Sequence, residues 1–578
     1  MLDDSHTAPA EGAVHPPAAQ PPSARRAQAP RARKVDVVAD FEAERDATGI
    51  SQREFARNAK VPRTTIQGWI AAAQHTGLEP EVIAFFESPA GLRFLHRHFQ
   101  SLLFVMTLVC PSGLRHLAMV LRPSRLDRWI APSHGALHAA SVRLETLVGT
   151  FGDEQRAALA PAMPPRKIAL CEDETHHPAP CLVAIVPDAN DIFVEQYAAR
   201  RDAKAWNAAV ATAKEGLSVE VEQVTSDLAR GIRLHVRVGL RAQHNADVFH
   251  VQYDASRATG APLALQERRA TEALKEAQGD LEKLRAKAAA ATTGPRSPGR
   301  PVVSPTQIAQ AEREVEDARE VLAEAHTQRE EMQQDVRAIS AAYHPFELTT
   351  GAPRTSRTVG KELRATFQRM KERAQTAGLG ERREALLAKA ARVVPLLMAT
   401  IAWFHRQVLA RVTALSLPAA TATVVLTVLI PGLYLLRVAG LARSPEVREA
   451  LLARGHALVA QAWEGALRDL PDALRRQVER VAQECAALFV ASSACVEGRN
   501  GHLRHYLRGL HRLPPRKLKA LTVVHNFFTA RRDGTTPAQR FFGAAHDDLF
   551  EALCARLPSP ARPRPRRSSS NAPREATA

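Results

Sequence analysis

Hydrophobic residues recur along the chain with two different periods. Apolar and polar residues alternate over Val219–Asp227, whereas residues 80–165 and most residues after 257 repeat apolar positions every three or four residues. A period of two is typical of strands and a period near 3.6 is typical of helices. The pattern therefore predicts a largely helical protein with one α/β region between residues 161 and 256.

This α/β region alternates short apolar runs with amphipathic ones. Gly216 follows the first amphipathic run, as is common at the end of a helix. The predicted elements, in chain order, are strands at Ile168–Thr175, Cys181–Pro187 and Phe193–Ala198, a helix at Asp202–Glu215, a strand at Val219–Asp227, a helix at Leu228–Leu240 and a strand at Asp247–Gln252.

Two of these strands carry aspartates where catalytic groups are found in open sheets, near the strand ends. Asp173 shares its parity with Cys171, and Asp227 shares its parity with Val221, so each carboxylate is expected on an apolar face. A half-buried carboxylate is costly unless it is paired or binds a metal ion. Asp173 and Asp227 are therefore candidate metal ligands.

Each aspartate also has a competing interpretation. Asp227 precedes a predicted helix, and its whole role could be to cap that helix, as Asp often does. Glu172 and Glu174 flank Asp173 and could take its place, although strand parity favours Asp173.

A third acidic candidate lies far along the chain. Glu497 begins a helical pattern in which Asn500 and Arg504 follow at i+3 and i+7, so the three side chains share one helix face. Gly498 weakens this helix locally. Glu484 is an alternative acid.

The segment Ser51–Ile70 resembles a helix-turn-helix, with Ser51 as a helix cap and Pro62 at the start of the second helix. An ordinary pair of helices is the alternative, but the outward positions are polar and basic, which favours DNA binding. The residues predicted to face DNA are Arg63, Thr64, Thr65 and Gln67.

Residues 263–340 show the spacing of a coiled coil. Apolar residues step by three and four over Leu274–Ala288 and again over Ile308–Ile339. The intervening sequence GPRSPGRPVVSP cannot continue a helix. Both an antiparallel hairpin and an intermolecular coiled coil fit this pattern.

One apolar stretch, Thr421–Gly440, bears on a membrane location. Pro431 and Arg437 interrupt it, which leaves fewer than the roughly 18 uninterrupted apolar residues of a membrane span. A buried helix is the favoured interpretation, and no membrane partner is expected.

Charge and cysteine content indicate the kind of partner and the cellular compartment. The net charge of +17 favours a polyanionic partner, first nucleic acid and then an acidic membrane surface; an Arg-rich composition from a GC-rich genome is the alternative. The six cysteines include no Cys-x-x-Cys pair, which argues against a zinc ribbon and favours a reduced cytoplasmic protein.

Strand, helix and motif order together resemble a known family. Three strands, a helix, a strand, a helix and a strand, with the phrases VTSDLARGI, HNADVFHVQYDASRAT and DGTTPAQRFFG, are similar to DDE-type transposases of bacterial insertion sequences. These belong to the ribonuclease-H-like transposase and integrase superfamily. The resemblance covers about residues 165–256 and 485–545.

The resemblance implies an α/β ribonuclease-H-like core that is interrupted by a large all-α insertion with a coiled-coil hairpin and preceded by a helix-turn-helix domain. The implied divisions are a disordered basic, Pro-rich tail (1–33), a helical DNA-binding region (34–160), the first part of the core (161–256), the insertion (257–480), the last part of the core (481–557) and a disordered basic tail (558–578).

It also implies an activity. Asp173, Asp227 and Glu497 would bind two Mg²⁺ or Mn²⁺ ions for DNA strand cleavage and transfer, and Asn500 and Arg504 would contact DNA. The implied partners are double-stranded DNA at the element ends and target, and further copies of the chain in a homodimer or higher oligomer. The implied location is the bacterial cytoplasm, in association with the nucleoid. Alternatives are an inactive transposase-derived DNA-binding protein, a resolvase or other nuclease of this fold, and a coiled-coil scaffold.

Overall fold

The computed structural model describes residues 31–74, 78–176, 179–293, 303–508 and 512–563. Most of the two predicted disordered tails and most of the predicted hairpin linker lie outside these residues. The chain divides into two compact units, Met1–Leu102 and Leu103–Ala578. The boundary between them lies inside the helical region predicted for 34–160.

The first unit is helical. Its helices are α1 (Arg31–Thr48), α2 (Gln52–Asn58), α3 (Arg63–Gln74), α4 (Pro80–Glu87) and all but the last two residues of α5 (Pro89–Phe104). Helix α1 includes the last three residues of the predicted N-terminal tail.

Helices α2 and α3 occupy the predicted helix-turn-helix. The Ser51 hydroxyl accepts the Glu54 N–H at the start of α2, and Lys60 turns the chain with a left-handed φ of 52°. Phe55 and Ile66 are buried in one small core with Phe41 of α1. This core fixes the angle between the two helices.

The second unit contains one five-stranded sheet with the order β3-β2-β1-β4-β5. The first three strands are antiparallel neighbours, while β4 and β5 run parallel to β1. The strands are β1 (Arg166–His176), β2 (Pro180–Val186), β3 (Asp191–Tyr197), β4 (Val219–Ser226) and β5 (Gln243–Ala246).

The predicted position of the fifth strand, Asp247–Gln252, is wrong. The observed strand β5 ends at Ala246, and the sequence DVFHVQ that follows begins a helix. Asp247 accepts the Phe249 N–H at 2.8 Å, which is the geometry of a helix cap. Val248, Val251 and Ala255 are buried at helical spacing, so the apolar run packs as one face of a helix.

Four helices accompany the sheet in the first part of this unit, as far as the structure describes it: α6 (Leu114–Leu121), α7 (His134–Leu159), α8 (Ala203–Lys214) and α9 (Arg230–Leu234). A π-helical segment, His235–Leu240, continues α9.

Nine helices of the described residues lie between β5 and the final part of the chain. They are α10 (Val248–Thr293), α11 (Pro305–Ala342), α12 (Ser356–Thr376), α13 (Glu381–Ala391), α14 (Val394–Thr413), α15 (Ala419–Val424), α16 (Ile430–Leu441), α17 (Pro445–Glu464) and α18 (Asp472–Ala487).

Helices α10 and α11 pack against each other within one chain as an antiparallel hairpin. Leu281 shares a small core with Ala311 and Val315, and Arg285 pairs with Glu312 at 2.6 Å. The hairpin is therefore intramolecular in this structure.

Two helical stretches, Glu381–Thr413 and Ala419–Leu441, are long and apolar enough to span a membrane, and 33% and 44% of their apolar windows are buried within the fold. Val425, Ile430 and Leu435 are fully buried in the core of the helical region. The buried-helix interpretation stays a prediction, with these three side chains in its favour.

Four helices complete the described chain: α19 (Ala494–Leu507), α20 (Pro515–Phe527), α21 (Pro537–Phe542) and α22 (Leu549–Arg556). The segment between α18 and α19 lies against the sheet. The side chains of Gln223 and Thr225 donate to the carbonyls of Leu488 and Val490 at 2.7 and 3.2 Å. This contact brings α19 to the same sheet that carries the two candidate aspartates.

Candidate metal centre

Asp173 and Asp227 lie side by side at one edge of the sheet. Asp173 lies on β1 and is 8% exposed, and Asp227 comes directly after β4 and is exposed. Because β1 and β4 are parallel neighbours, their carboxyl ends meet. Glu222 has no partner on β1, which makes a bulge in β4. The strict alternation expected from Val221 to Asp227 is therefore interrupted.

The acids on either side of Asp173 are engaged elsewhere. Glu172 is fully buried, with its Oε1 3.4 Å from Nε2 of the buried His235. Glu174 accepts the Trp206 indole N–H at 3.1 Å. Asp173 is thus the acid of this strand that lies with Asp227.

Asp227 also caps the turn that leads into the next helix. Its Oδ1 accepts the Ala229 N–H at 2.8 Å, just before α9 begins. One carboxylate oxygen holds the turn, so the second remains free to face Asp173.

Helix α19 brings Glu497 and Asn500 to this edge. The Asn500 amide donates to Asp173 Oδ2 at 3.3 Å, and Glu497 Oε1 lies 3.8 Å from His250 Nε2. Glu484 instead pairs with Arg480 and lines a cleft of about 1050 Å³ beside the opposite, N-terminal ends of β1 and β4. Of these two glutamates, Glu497 is the one near the aspartates.

His250 was not among the metal ligands predicted from the sequence, although it lies beside them in the structure. One ligand atom each from Asp173, Asp227 and His250 lie within 4.8 Å of one another. The signal was the i, i+3 spacing of Asp247 and His250, which places both on one helix face. The prediction of a strand in this segment concealed that spacing.

Asp247 holds His250 in place. It is 2% exposed and accepts from His250 Nδ1 at 2.7 Å, so Nε2 faces the acids. Its Oδ2 also accepts the Ser493 hydroxyl, just before α19. A single buried carboxylate therefore links the start of α10 to the start of α19.

Helix α19 is fixed from its other side by a buried ion pair. Arg499 donates two hydrogen bonds to the Glu195 carboxylate on β3, at 2.8 and 2.6 Å, and the Thr522 hydroxyl donates to the same group. Both charged side chains are at most 3% exposed. This paired geometry limits rotation of the helix that carries Glu497.

Electrostatics mark the edge as rich in negative charge. Burial raises the pKa of Asp173 to about 7; the Glu174 N–H opposes the shift, and the carboxylates of Asp227 and Glu497 add to it. Burial alone would lower the pKa of His250, but its bond to Asp247 and the nearby aspartates raise that pKa to about 9. A cation at this edge would offset the mutual repulsion of the acids.

The donor set fits a hard divalent cation. Carboxylate and amide oxygens are preferred by Mg²⁺ and Mn²⁺, and the imidazole nitrogen is also tolerated by Mn²⁺. Asn500 is 5% exposed, and its Oδ1 is buried without a hydrogen-bond partner among the described residues. A buried acceptor with no donor is costly, and a nearby cation or its bound water would satisfy it.

The residues predicted to contact DNA have different surroundings. Arg63, Thr64 and Gln67 are exposed on α3, and Thr65 is half-buried. Arg504 is exposed on α19, whereas Asn500 is buried against Asp173.

Comparison with known proteins assigns no activity. Residues 425–569, about a quarter of the chain, match a protein-family profile described as a family of unknown function (DUF6399). No curated protein and no solved structure matches the chain. The matched segment includes α19, so Glu497 and Asn500 lie inside it and Asp173 and Asp227 lie outside it.

Proposed function

We propose that the protein is a DNA transposase that cleaves DNA strands and transfers them with the help of Mg²⁺ or Mn²⁺. The observation that carries this proposal is the approach of three acids from distant parts of the chain. Glu497 follows Asp227 by 270 positions, yet it lies 3.8 Å from His250, which is grouped with Asp173 and Asp227. A purely structural ion pair would not need so many carboxylates at one edge.

The sheet supports a ribonuclease-H-like core. The chain order of three strands, a helix, a strand, a helix and a strand, in one sheet with the order β3-β2-β1-β4-β5, supports this part of the proposal. The helical region between β5 and α19 corresponds to the implied insertion.

Each residue has a role in the proposed chemistry. Asp173 and Asp227 would hold cations from the sheet, and Glu497 would complete the site from α19. Bound Mg²⁺ or Mn²⁺ would polarise the scissile phosphate and favour ionisation of the attacking water or 3′-hydroxyl. Asn500 orients Asp173 through its amide, and Asp247 orients His250. The protein side chains position these groups and need no covalent nucleophile.

The proposed partners follow from the same picture. Exposed Arg63, Thr64 and Gln67 on α3 have the residue types that read base edges and phosphates in a major groove. Double-stranded DNA at the element ends and at the target is the proposed substrate. A homodimer or higher oligomer would hold two element ends together. The proposed location is the cytoplasm, in association with the nucleoid, and no membrane partner is proposed.

The test is cleavage and strand transfer on DNA that carries the sequences flanking the gene, with Mg²⁺ or Mn²⁺. Asp227→Asn should reduce the rate by roughly a thousandfold, since metal ions supply several kcal/mol of transition-state stabilisation. Asp317→Asn is the matched control, because Asp317 is an exposed acid on α11, and its rate should equal wild type. Cleavage retained in Asp227→Asn, or DNA binding without cleavage in wild type, would overturn the proposal.

A further inference from the structure

The segment that follows Asp227 has an unusual charge pattern. Between Asp227 and Asp247 the chain has four arginines and two histidines and no acid. The arginines, Arg230, Arg233, Arg237 and Arg241, are separated by three or four positions. Arg230 and Arg233 lie on α9, Arg237 lies in its π-helical continuation, and Arg241 directly follows that continuation. These four residues are named the basic stripe.

All four side chains of the basic stripe are exposed. Within the described part of the chain, their guanidinium groups have no ion pair or hydrogen bond. Exposed arginines elsewhere often do: Arg285 pairs with Glu312 and Arg319 with Glu316, each at 2.6 Å. The basic stripe therefore keeps its full positive charge available to a partner outside the chain.

The scaffold under the basic stripe is firmly packed. Ile232, His235 and Val236 are fully buried, and His235 bonds to Asn207 on α8 at 2.5 Å. A Cβ at Gly231 would collide with the Arg201 carbonyl, so this helix approaches the preceding loop closely. The charged side chains are long and mobile, but the backbone that presents them is fixed.

Exposed apolar side chains lie between the arginines. Leu234 is 48% exposed and Val238 is 60% exposed, each directly after an arginine of the basic stripe. Alternating cationic and apolar groups suit the phosphates and sugars of a nucleic-acid backbone.

We propose that the basic stripe binds the phosphate backbone of the DNA substrate and leads it to the carboxylate edge at Asp227, an inference that rests on the proposed function. Arg230 follows Asp227 by three positions, so the basic stripe begins beside the proposed metal ligands. The seven residue-to-residue steps of helix from Arg230 to Arg237 span about 10 Å. One strand of duplex DNA presents about three phosphates over that length.

DNA is favoured over an acidic membrane surface by this position. A membrane-binding patch has no reason to border a cluster of acids, whereas a DNA strand must reach that cluster to be cut. The guanidinium groups would also offset the repulsion between DNA phosphates and the carboxylates before a cation is bound.

The experiment measures binding of the full chain to a DNA duplex of random sequence, in EDTA, across a range of salt concentrations. The variant R230A/R233A/R237A/R241A should lower the slope of log Kd against log salt by about 3.6, since each of the four lost phosphate contacts removes about 0.9. The single variant Arg237→Gln should lower it by about 0.9. Circular dichroism should show wild-type helix content for both.

A matched control removes the same charge elsewhere. Arg406, Arg443, Arg468 and Arg476 are exposed and, within the described residues, have no guanidinium partner. The variant R406A/R443A/R468A/R476A should change the slope by less than about 1. An equal loss in this control would show that total charge and not the basic stripe determines binding, and would overturn the inference.

Three further outcomes separate the two proposals. A basic-stripe variant with the wild-type slope would overturn the inference even if wild type cleaves DNA. Stripe-dependent binding by a wild-type protein that never cleaves DNA would support the inference and overturn only the proposed function. Stripe-dependent binding to phosphatidylserine vesicles, with DNA binding unchanged, would assign the basic stripe to a membrane and overturn the inference.

Discussion

Asp173 and Asp227 are brought together by the backbone, whereas Glu497 is brought to them mainly by side chains. The two aspartates belong to parallel neighbouring strands, and the hydrogen-bond ladder between β1 and β4 determines their distance. We call these strands the sheet half of the site. The returning half is α19 with Glu497 and Asn500, which reaches the sheet only after the helical region.

Three kinds of side-chain contact hold the returning half. They are the Glu195–Arg499 ion pair, the Ser493–Asp247 hydrogen bond and the bonds from Gln223 and Thr225 to the segment before α19. A ladder of backbone hydrogen bonds keeps its geometry when one contact is lost, whereas an element held by a few buried polar contacts does not. The sheet half should therefore be robust to point mutation, and the returning half should be sensitive.

The largest expected effect comes from breaking the buried ion pair. Arg499→Met should lower the free energy of unfolding by about 3–5 kcal/mol, because it leaves the fully buried Glu195 carboxylate uncompensated. Urea unfolding measures this loss. Mn²⁺ affinity should also fall, since α19 loses its anchor on β3.

The control for this variant removes both charges. In Glu195→Gln with Arg499→Met no buried charge is left unpaired, so most of the lost stability should return. A single Arg499→Met variant with wild-type stability would contradict the view that this ion pair fixes the returning half.

A smaller effect is expected from pH on Mn²⁺ affinity, and it tests whether Asp173 of the sheet half binds the cation. Asp173, with a pKa near 7, and His250, with a pKa near 9, must release protons when a cation binds. Mn²⁺ affinity should therefore rise from pH 6 to pH 9, by at most about tenfold per pH unit for each proton released. Calorimetry in buffers of different ionisation enthalpy measures both the affinity and the protons.

His250→Gln is the matched variant for this measurement. It removes the group that titrates at higher pH, so the rise in affinity should become shallower above pH 7. Mn²⁺ affinity that is constant from pH 6 to pH 9 would show that neither proton is displaced by the cation.

The smallest effect is expected far from both halves. The outer part of the α10–α11 hairpin has its own small core around Leu281 and Val315, separate from the main core of the helical region. Replacing residues 276–320 by a short Gly-Ser loop should leave Mn²⁺ affinity within about twofold of wild type. A larger loss would mean that the hairpin supports the site.

Local patterns predicted much of this structure. Alternation located β1 to β4, helical spacing located α8 and both arms of the hairpin, and the cap at Ser51 located α2. The proximity of Asp173 and Asp227 could be predicted because a strand end restricts where a side chain can lie. These features depend on neighbours in sequence, so the sequence alone contains the information.

The remainder depends on contacts that local patterns do not contain. The run DVFHVQ has an apolar pattern that fits a strand and a helix equally well, and the Asp247 cap decides for the helix. The hydrogen bond from His250 to Asp247 depends on that helix, so the strand prediction did not include it. The burial of Asn500 against Asp173 depends on a contact between residues 327 positions apart.

The bond between Asp247 and Ser493 also has a consequence for synthesis of the protein. These two residues are 246 positions apart, so the ribosome finishes the sheet long before it makes α19. Under the proposed function, the growing chain holds two of its three acids without the third throughout translation of the helical region. DNA near the ribosome is then safe from the nascent protein, because a complete catalytic edge exists only once nearly all of the chain has been made.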